Sequence, residues 1–215
     1  MTGYEAAQNA LMYMNEYRYI MGAKGEVCSA AHVEDLISQN LWYFNTELKK
    51  TAARANTGYP CADCSGYVSL CTGSGLKSSY SLHDYADERR ALVYYYTSET
   101  GGEWKTSAGY IPIGAVLWKS GHVGIYVGNQ EVVEARSEEL NVEKNNVNGR
   151  GFTYCLLIPG VQYEENLTDA AVSVNATVGY IPWIGKIINA DLVYPSATPS
   201  ASSGAAFTGM LLNGA

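Results

Sequence analysis

Gly121-His122-Val123-Gly124-Ile125-Tyr126-Val127-Gly128 reads as a β-strand. Its alternation puts His122, Gly124 and Tyr126 on one face and Val123, Ile125 and Val127 on the other. Glycine beside the imidazole leaves space for a substrate. Residues 111 to 118, 131 to 136 and 152 to 158 are further short β-rich runs, separated by Gly and Asn, and together they predict a small antiparallel sheet.

Upstream the period is helical. Thr2-Gly3-Tyr4-Glu5 forms a capping-box pattern, and Tyr4, Ala7, Leu11 and Met14 recur on one face, predicting a helix to about Arg18. Ser29 caps a second predicted helix whose stripe is Val33, Ile37, Leu41, Phe44 and Leu48, before a polar loop over residues 51 to 58. Asp63 caps a third, which carries Tyr67, Val68, Leu70 and Cys71 and ends near Gly73-Ser74-Gly75. A fourth is expected over residues 81 to 96, then a polar loop over 97 to 109. Helices first and strands later define an α+β chain, with N-terminal helices packed on the sheet.

Charge and composition exclude several functions. A formal charge of −7, a pI near 5.0 and scattered Lys and Arg leave no footprint for nucleic acid. No run approaches the roughly 20 apolar residues of a membrane span. The first basic residue is Arg18 and no apolar region follows a charged start, so no secretory signal is expected and the chain reads as soluble. Five cysteines form an odd set without a disulfide framework. Cys61-Ala62-Asp63-Cys64 lacks a second CxxC or a histidine pair, so neither a metal nor a cofactor is expected.

Cys64 stands out because it opens a helix, where unpaired N–H groups and the macrodipole favour a thiolate and could hold an oxyanion. Cys28, Cys71 and Cys155 read as small buried hydrophobes, and Cys61 sits in the loop before the helix. A nucleophilic thiol needs a base. His32 and His83 lie on predicted helices among charged residues, whereas His122 opens the glycine-bearing strand. Glu134 supplies a third member if the hairpin turns through Val127-Gly128-Asn129, pairing residue 126 with 130 and 122 with 134. A two-residue loop would spoil that direct opposition.

Four segments resemble, in order and spacing, the motifs of NlpC-type cell-wall cysteine peptidases: Tyr19-Ile20-Met21-Gly22-Ala23, Asp63-Cys64-Ser65-Gly66-Tyr67-Val68, Gly114-Ala115-Val116-Leu117, and residues 121 to 128. The resemblance spans residues 4 to 163. It implies a papain-like fold with Cys64 as nucleophile, His122 as base and Glu134 as third residue, while Tyr19, Asp63 and Ser65 place the substrate. It also implies amide hydrolysis in peptidoglycan stem peptides, typically between D-glutamate and the diamino acid, by an enzyme of bacteria or phages. Three positions depart from the common pattern: many members have His, Asn or Gln where Glu134 stands, Ala115 replaces an Asp, and Ala23 replaces a Gly.

The expected organisation is a peptidase domain over 1–163 and a tail over 164–215. Residues 195 to 206 are low-complexity. Residues 185 to 215 resemble the opening of a bacterial Src-homology-3-like wall-binding repeat, so both a linker and a truncated binding module stay open. Without an export signal, a wall enzyme is expected to act on release by lysis, to be carried in a virion tail or other delivery device whose proteins become expected partners, or to stand here without its leader. Two other functions stay open for the same residues: a catalytically silent wall-binding or phage tail module, and a thiol amidase acting on another wall amide.

Overall fold

The computed structural model describes residues 1–97 and 101–164, and the expected tail module over 164–215 lies almost entirely outside the described residues. Helix α1 (Gly3–Tyr13) starts at the Thr2 capping box, in which Glu5 Oε2 accepts from the Thr2 amide and Thr2 Oγ1 accepts from the Glu5 amide. It stops well before Arg18. That residue instead bridges Cys61 in extended backbone. Strand β1 (Lys24–Val27) leads to α2 (Ala30–Gln39) and α3 (Glu47–Ala55), and β2 (Pro60–Ala62) pairs back on β1.

The stripe expected of one long helix is therefore divided. Val33, Ile37 and Phe44 are buried, but Leu41 and Leu48 are 60% and 72% exposed, because the helix breaks after Gln39 and its periodicity does not carry past that point. The residues expected as a polar loop over 51 to 58 are helical to Ala55. Thr46 caps that helix, its hydroxyl accepting from the Lys49 amide.

Helix α4 (Cys64–Thr72) follows directly from β2. Asp63 is its N-cap and accepts from the Gly66 amide at 2.7 Å, as the sequence predicts, and the helix ends at Gly73. Every residue from Cys64 to Ser69 is buried, so this helix is the hub of the core. It packs against α1, β1 and the sheet.

Helix α5 (Ser79–Tyr85) is short, and here the structure corrects the expected helix over 81 to 96. From Glu88 the chain is strand β3 (Glu88–Thr97), which forms a hairpin with β4 (Gly101–Thr106), part of the expected loop. Val93-Tyr94-Tyr95-Tyr96 is β-branched and aromatic, and pairing of this half of β3 with β4, and of its first half from Glu88 to Ala91 with the C-terminal strand, decides its state over local helix signals.

The remaining strands are β5 (Val116–Lys119), β6 (His122–Gly128), β7 (Glu131–Ser137), β8 (Asn141–Asn146) and β9 (Tyr154–Leu157). They join β3 and β4 in one antiparallel sheet of order β4-β3-β9-β5-β6-β7-β8. The expected run from residue 111 becomes strand only at Val116, since Gly114 takes φ +77° in the turn before it. The fold is α+β: Val116, Val123, Ile125, Val133 and Leu156 meet the helices on one face, while Leu117, Tyr126, Val132, Phe152 and Cys155 form a second cluster. No helix among the described residues is long and apolar enough to cross a membrane.

Helix α4 approaches the chain before β1 so closely that a Cβ at Gly66 would lie 2.7 Å from the Ala23 carbonyl oxygen and 3.1 Å from Lys24 Cα. Both are backbone atoms that cannot rotate away. Gly66→Ala is expected to destabilise the protein by about 1–3 kcal/mol through overpacking, read as a lower denaturant midpoint with an unchanged slope.

Candidate functional site

Strands β6 and β7 are joined by Asn129 and Gln130, both with positive φ (52° and 60°), a two-residue turn that fixes the register. Tyr126 pairs with Val132 and Ile125 with Val133. The expected pairing of 126 with 130 and 122 with 134 is therefore displaced by two residues. An even displacement preserves the face, so Glu134 still reaches the imidazole, diagonally rather than head-on. His122 Nε2 lies 2.7 Å from Glu134 Oε2. Gly124 makes room for this, since a Cβ there would lie 3.1 Å from Glu134 Cβ and 2.7 Å from a Val132 methyl.

Glu134 is fully buried, and a buried carboxylate needs partners. Arg150 donates from Nε to Oε1 at 2.6 Å and from Nη2 to Oε2 at 2.9 Å, and Asn145 donates from Nδ2 to Oε1 at 3.2 Å. Burial alone would raise the carboxyl pKa, but the hydrogen bonds and charges of His122 and Arg150 outweigh it and hold the group down at about 2. An ionised carboxylate only accepts. His122 therefore carries its proton on Nε2 when neutral, and its lone pair is on Nδ1. The imidazole stacks on Phe152, with ring centroids 6.0 Å apart and planes at 21°.

Cys64 approaches from the helix side. Helix α4 packs on β6, and the backbone amides of Val123, next to His122, and of Ser65 favour the thiolate form of Cys64. No hydrogen bond joins the thiol to the imidazole among the described residues. The helix start was expected to lower the thiol pKa, and here the structure differs. Burial first, then the charge of Asp63, push Cys64 up to about 12, and the two amides and Lys24 only partly offset them. The resting group is a thiol.

Asp63 and Ser65 belong to one polar cluster. Ser65 donates to Asp63 Oδ1 at 2.8 Å, and the Lys24 ammonium lies 2.6 Å from Asp63 Oδ2 and 3.0 Å from Ser65 Oγ. Tyr19 is buried, and burial first, then the nearby Cys64, Tyr43, Glu138 and Asp63, raise its phenol well above the usual range. Its amide donates to Asn141 Oδ1, and its carbonyl accepts from Asn56 Nδ2. Glu138, also buried, accepts from Tyr43 Oη at 2.8 Å and from the Met21 amide at 3.2 Å.

The structure thus brings His122 and Glu134 into contact, gathers Tyr19, Asp63 and Ser65 around Cys64, and leaves thiol and imidazole unbonded. Sequence reasoning missed Arg150, Asn145, Lys24, Glu138 and Phe152. Arg150 follows Asn148-Gly149 in a polar stretch without any period, so only its position in space marks it. Cys28, Cys71 and Cys155 are buried as expected; Cys61, expected in a loop, is instead buried in β2. Compared with protein-family models, curated proteins and solved structures, the chain finds no match.

Removing the guanidinium leaves Glu134 under-partnered. Arg150→Ala is expected to cost about 1.5–3 kcal/mol in urea unfolding. Because the folded pKa of about 2 is below the ordinary 4.5, the Glu134 network contributes stability above about pH 4.5 that is lost as pH falls towards 2. Acid titration of stability should show that loss, and it should be smaller in Arg150→Ala.

Proposed function

We propose that the chain is a peptidoglycan hydrolase of the NlpC type with a papain-like active site, cleaving amide bonds of stem peptides between D-glutamate and the diamino acid. The observation that carries this reading is the Glu134–His122 pair, made on the strand against which α4 packs with Cys64 as its first residue.

In this mechanism the Cys64 proton passes to His122 Nδ1, and the thiolate attacks the scissile carbonyl. The oxyanion is held by amides at the start of α4. His122 then gives its proton to the leaving amine as the C–N bond breaks, leaving a thioester on Cys64. Water, deprotonated by His122, attacks the thioester, releasing the carboxylate product and the thiol. Glu134 stabilises the imidazolium and fixes the ring, as the third member of a triad does. Arg150 holds Glu134. Tyr19, Asp63 and Ser65 border the thiol and position the peptide. The chemistry needs no metal or cofactor, and its place of action is the bacterial wall.

One observation favours a second reading. Cys64 is only 8% exposed and is held protonated by burial and Asp63, as suits a silent wall-binding or virion tail module. The two readings differ in how alkylation depends on pH. In a thiolate–imidazolium pair the thiolate is already formed at acidic pH, so iodoacetamide labelling of Cys64 is nearly flat through about pH 5–7. A bare thiol instead gains about tenfold per pH unit.

Cys64→Ala is expected to abolish release of wall fragments while leaving the fold intact. Digests of peptidoglycans of defined stem chemistry, with new termini identified by mass spectrometry, measure this. Hydrolysis retained by the variant would sink the assignment, and termini at another amide would indicate a wall amidase.

A further inference from the structure

Outside the group formed by Cys64, His122 and Glu134, three side chains with metal-binding atoms converge where β1 passes into α2. One carboxylate oxygen of Glu26, Sγ of Cys28 and one ring nitrogen of His32 all lie within 4.8 Å of one another. We propose that Glu26, Cys28 and His32 form a binding site for a divalent cation of the zinc class.

Local geometry builds the cluster. Glu26 and Cys28 are two apart on extended chain and so share a face, and the Ser29 cap then turns the first coil of α2 so that His32 comes back over them. His32 Nε2 is already 2.8 Å from Glu26 Oε1. The other carboxylate oxygen accepts from the Lys24 amide at 2.8 Å, which orients the group so that a metal would take the place of the direct contact between Oε1 and His32. The Cys28 backbone is fixed from both sides, its amide donating to the Tyr59 carbonyl and its carbonyl accepting from the Gly58 amide. Its side chain is fully buried, so the sulfur sits at the base of the cluster, with Glu26 and His32 at the surface.

Bonds of about 2.3 Å to sulfur and about 2.0–2.2 Å to nitrogen and oxygen place tetrahedral ligand atoms roughly 3.3–3.6 Å apart. The cluster meets this with small side-chain adjustments. A thiolate and an imidazole with a single carboxylate select a borderline-soft ion over calcium or magnesium. The sequence conceals the site because its candidate CxxC pair is divided: Cys64 lies at the start of α4, while Cys61, which donates to the Tyr59 carbonyl, shares a buried cluster with Cys28. A bound ion would brace β1, whose first residue, Lys24, reaches Asp63 and Ser65.

The test is a Co(II) titration of the full chain, reduced and carrying Cys64→Ala so that the active-site thiol contributes nothing. The expected result is one equivalent of Co(II) bound with a thiolate-to-cobalt absorption band, displaced by Zn(II). Cys28→Ser erases the band, and Glu26→Gln and His32→Gln each weaken Co(II) binding about tenfold or more. His32→Gln changes a partly exposed side chain, and an unchanged circular dichroism spectrum separates ligand loss from unfolding. Absence of a band, a band that survives Cys28→Ser, or unaltered affinity in His32→Gln would each overturn the proposal. None of these readouts depends on wall hydrolysis.

Discussion

A carboxylate with no access to water sits at the centre of the sheet's chemistry. Glu134 is tolerable there only because Arg150 and His122 neutralise it and Asn145 completes its hydrogen bonds. That requirement sets much else. It demands a glycine at 124, a strand β8 that delivers Asn145, and a return of the chain after β8 that brings Arg150 and Phe152 back over β6 and β7. Lys119 reinforces the return by donating to the Arg150 carbonyl at 2.6 Å and lying over the Phe152 ring.

The second half of the site is organised by a different constraint. Helix α4 begins in the protein interior, so its unpaired amides need a cap that water cannot provide. Asp63 supplies it, and Lys24 and Ser65 satisfy the remaining lone pairs of Asp63. The same arrangement raises the thiol pKa, because the capping charge and the burial both disfavour a second anion. Capping the helix and activating its first residue are therefore opposed requirements. In the proposed mechanism the imidazole resolves them by taking the proton.

Helix α4 and strand β6 carry Cys64 and His122, and local signals made both elements legible. Asp63 before an apolar run, and alternation from His122, are short-range patterns that tertiary packing had no reason to override. The same patterns are what single out Cys64 among five cysteines and His122 among three histidines as candidates. The β3–β4 hairpin was not legible, because Ser81 to Tyr85 does form the end of a helix and nothing local marks where strand begins. Its state depends on β9, more than fifty residues later in the chain. Similarly, the break after Gln39 and the pairing of β1 with β2 are settled by contacts between segments that show no shared period.

What the sequence alone determined is the α+β order, the cap and start of α4, and the face on which His122 and Glu134 stand, since side-chain parity along a strand is local and survives an even shift of register. What only the tertiary structure decided is the register itself, set by two positive φ angles at Asn129 and Gln130, and the partners that hold Glu134 ionised. Burial decided the protonation of Cys64. A helix start favours a thiolate in any sequence, but the dielectric around the sulfur and the distance to neighbouring charges exist only once the chain has folded.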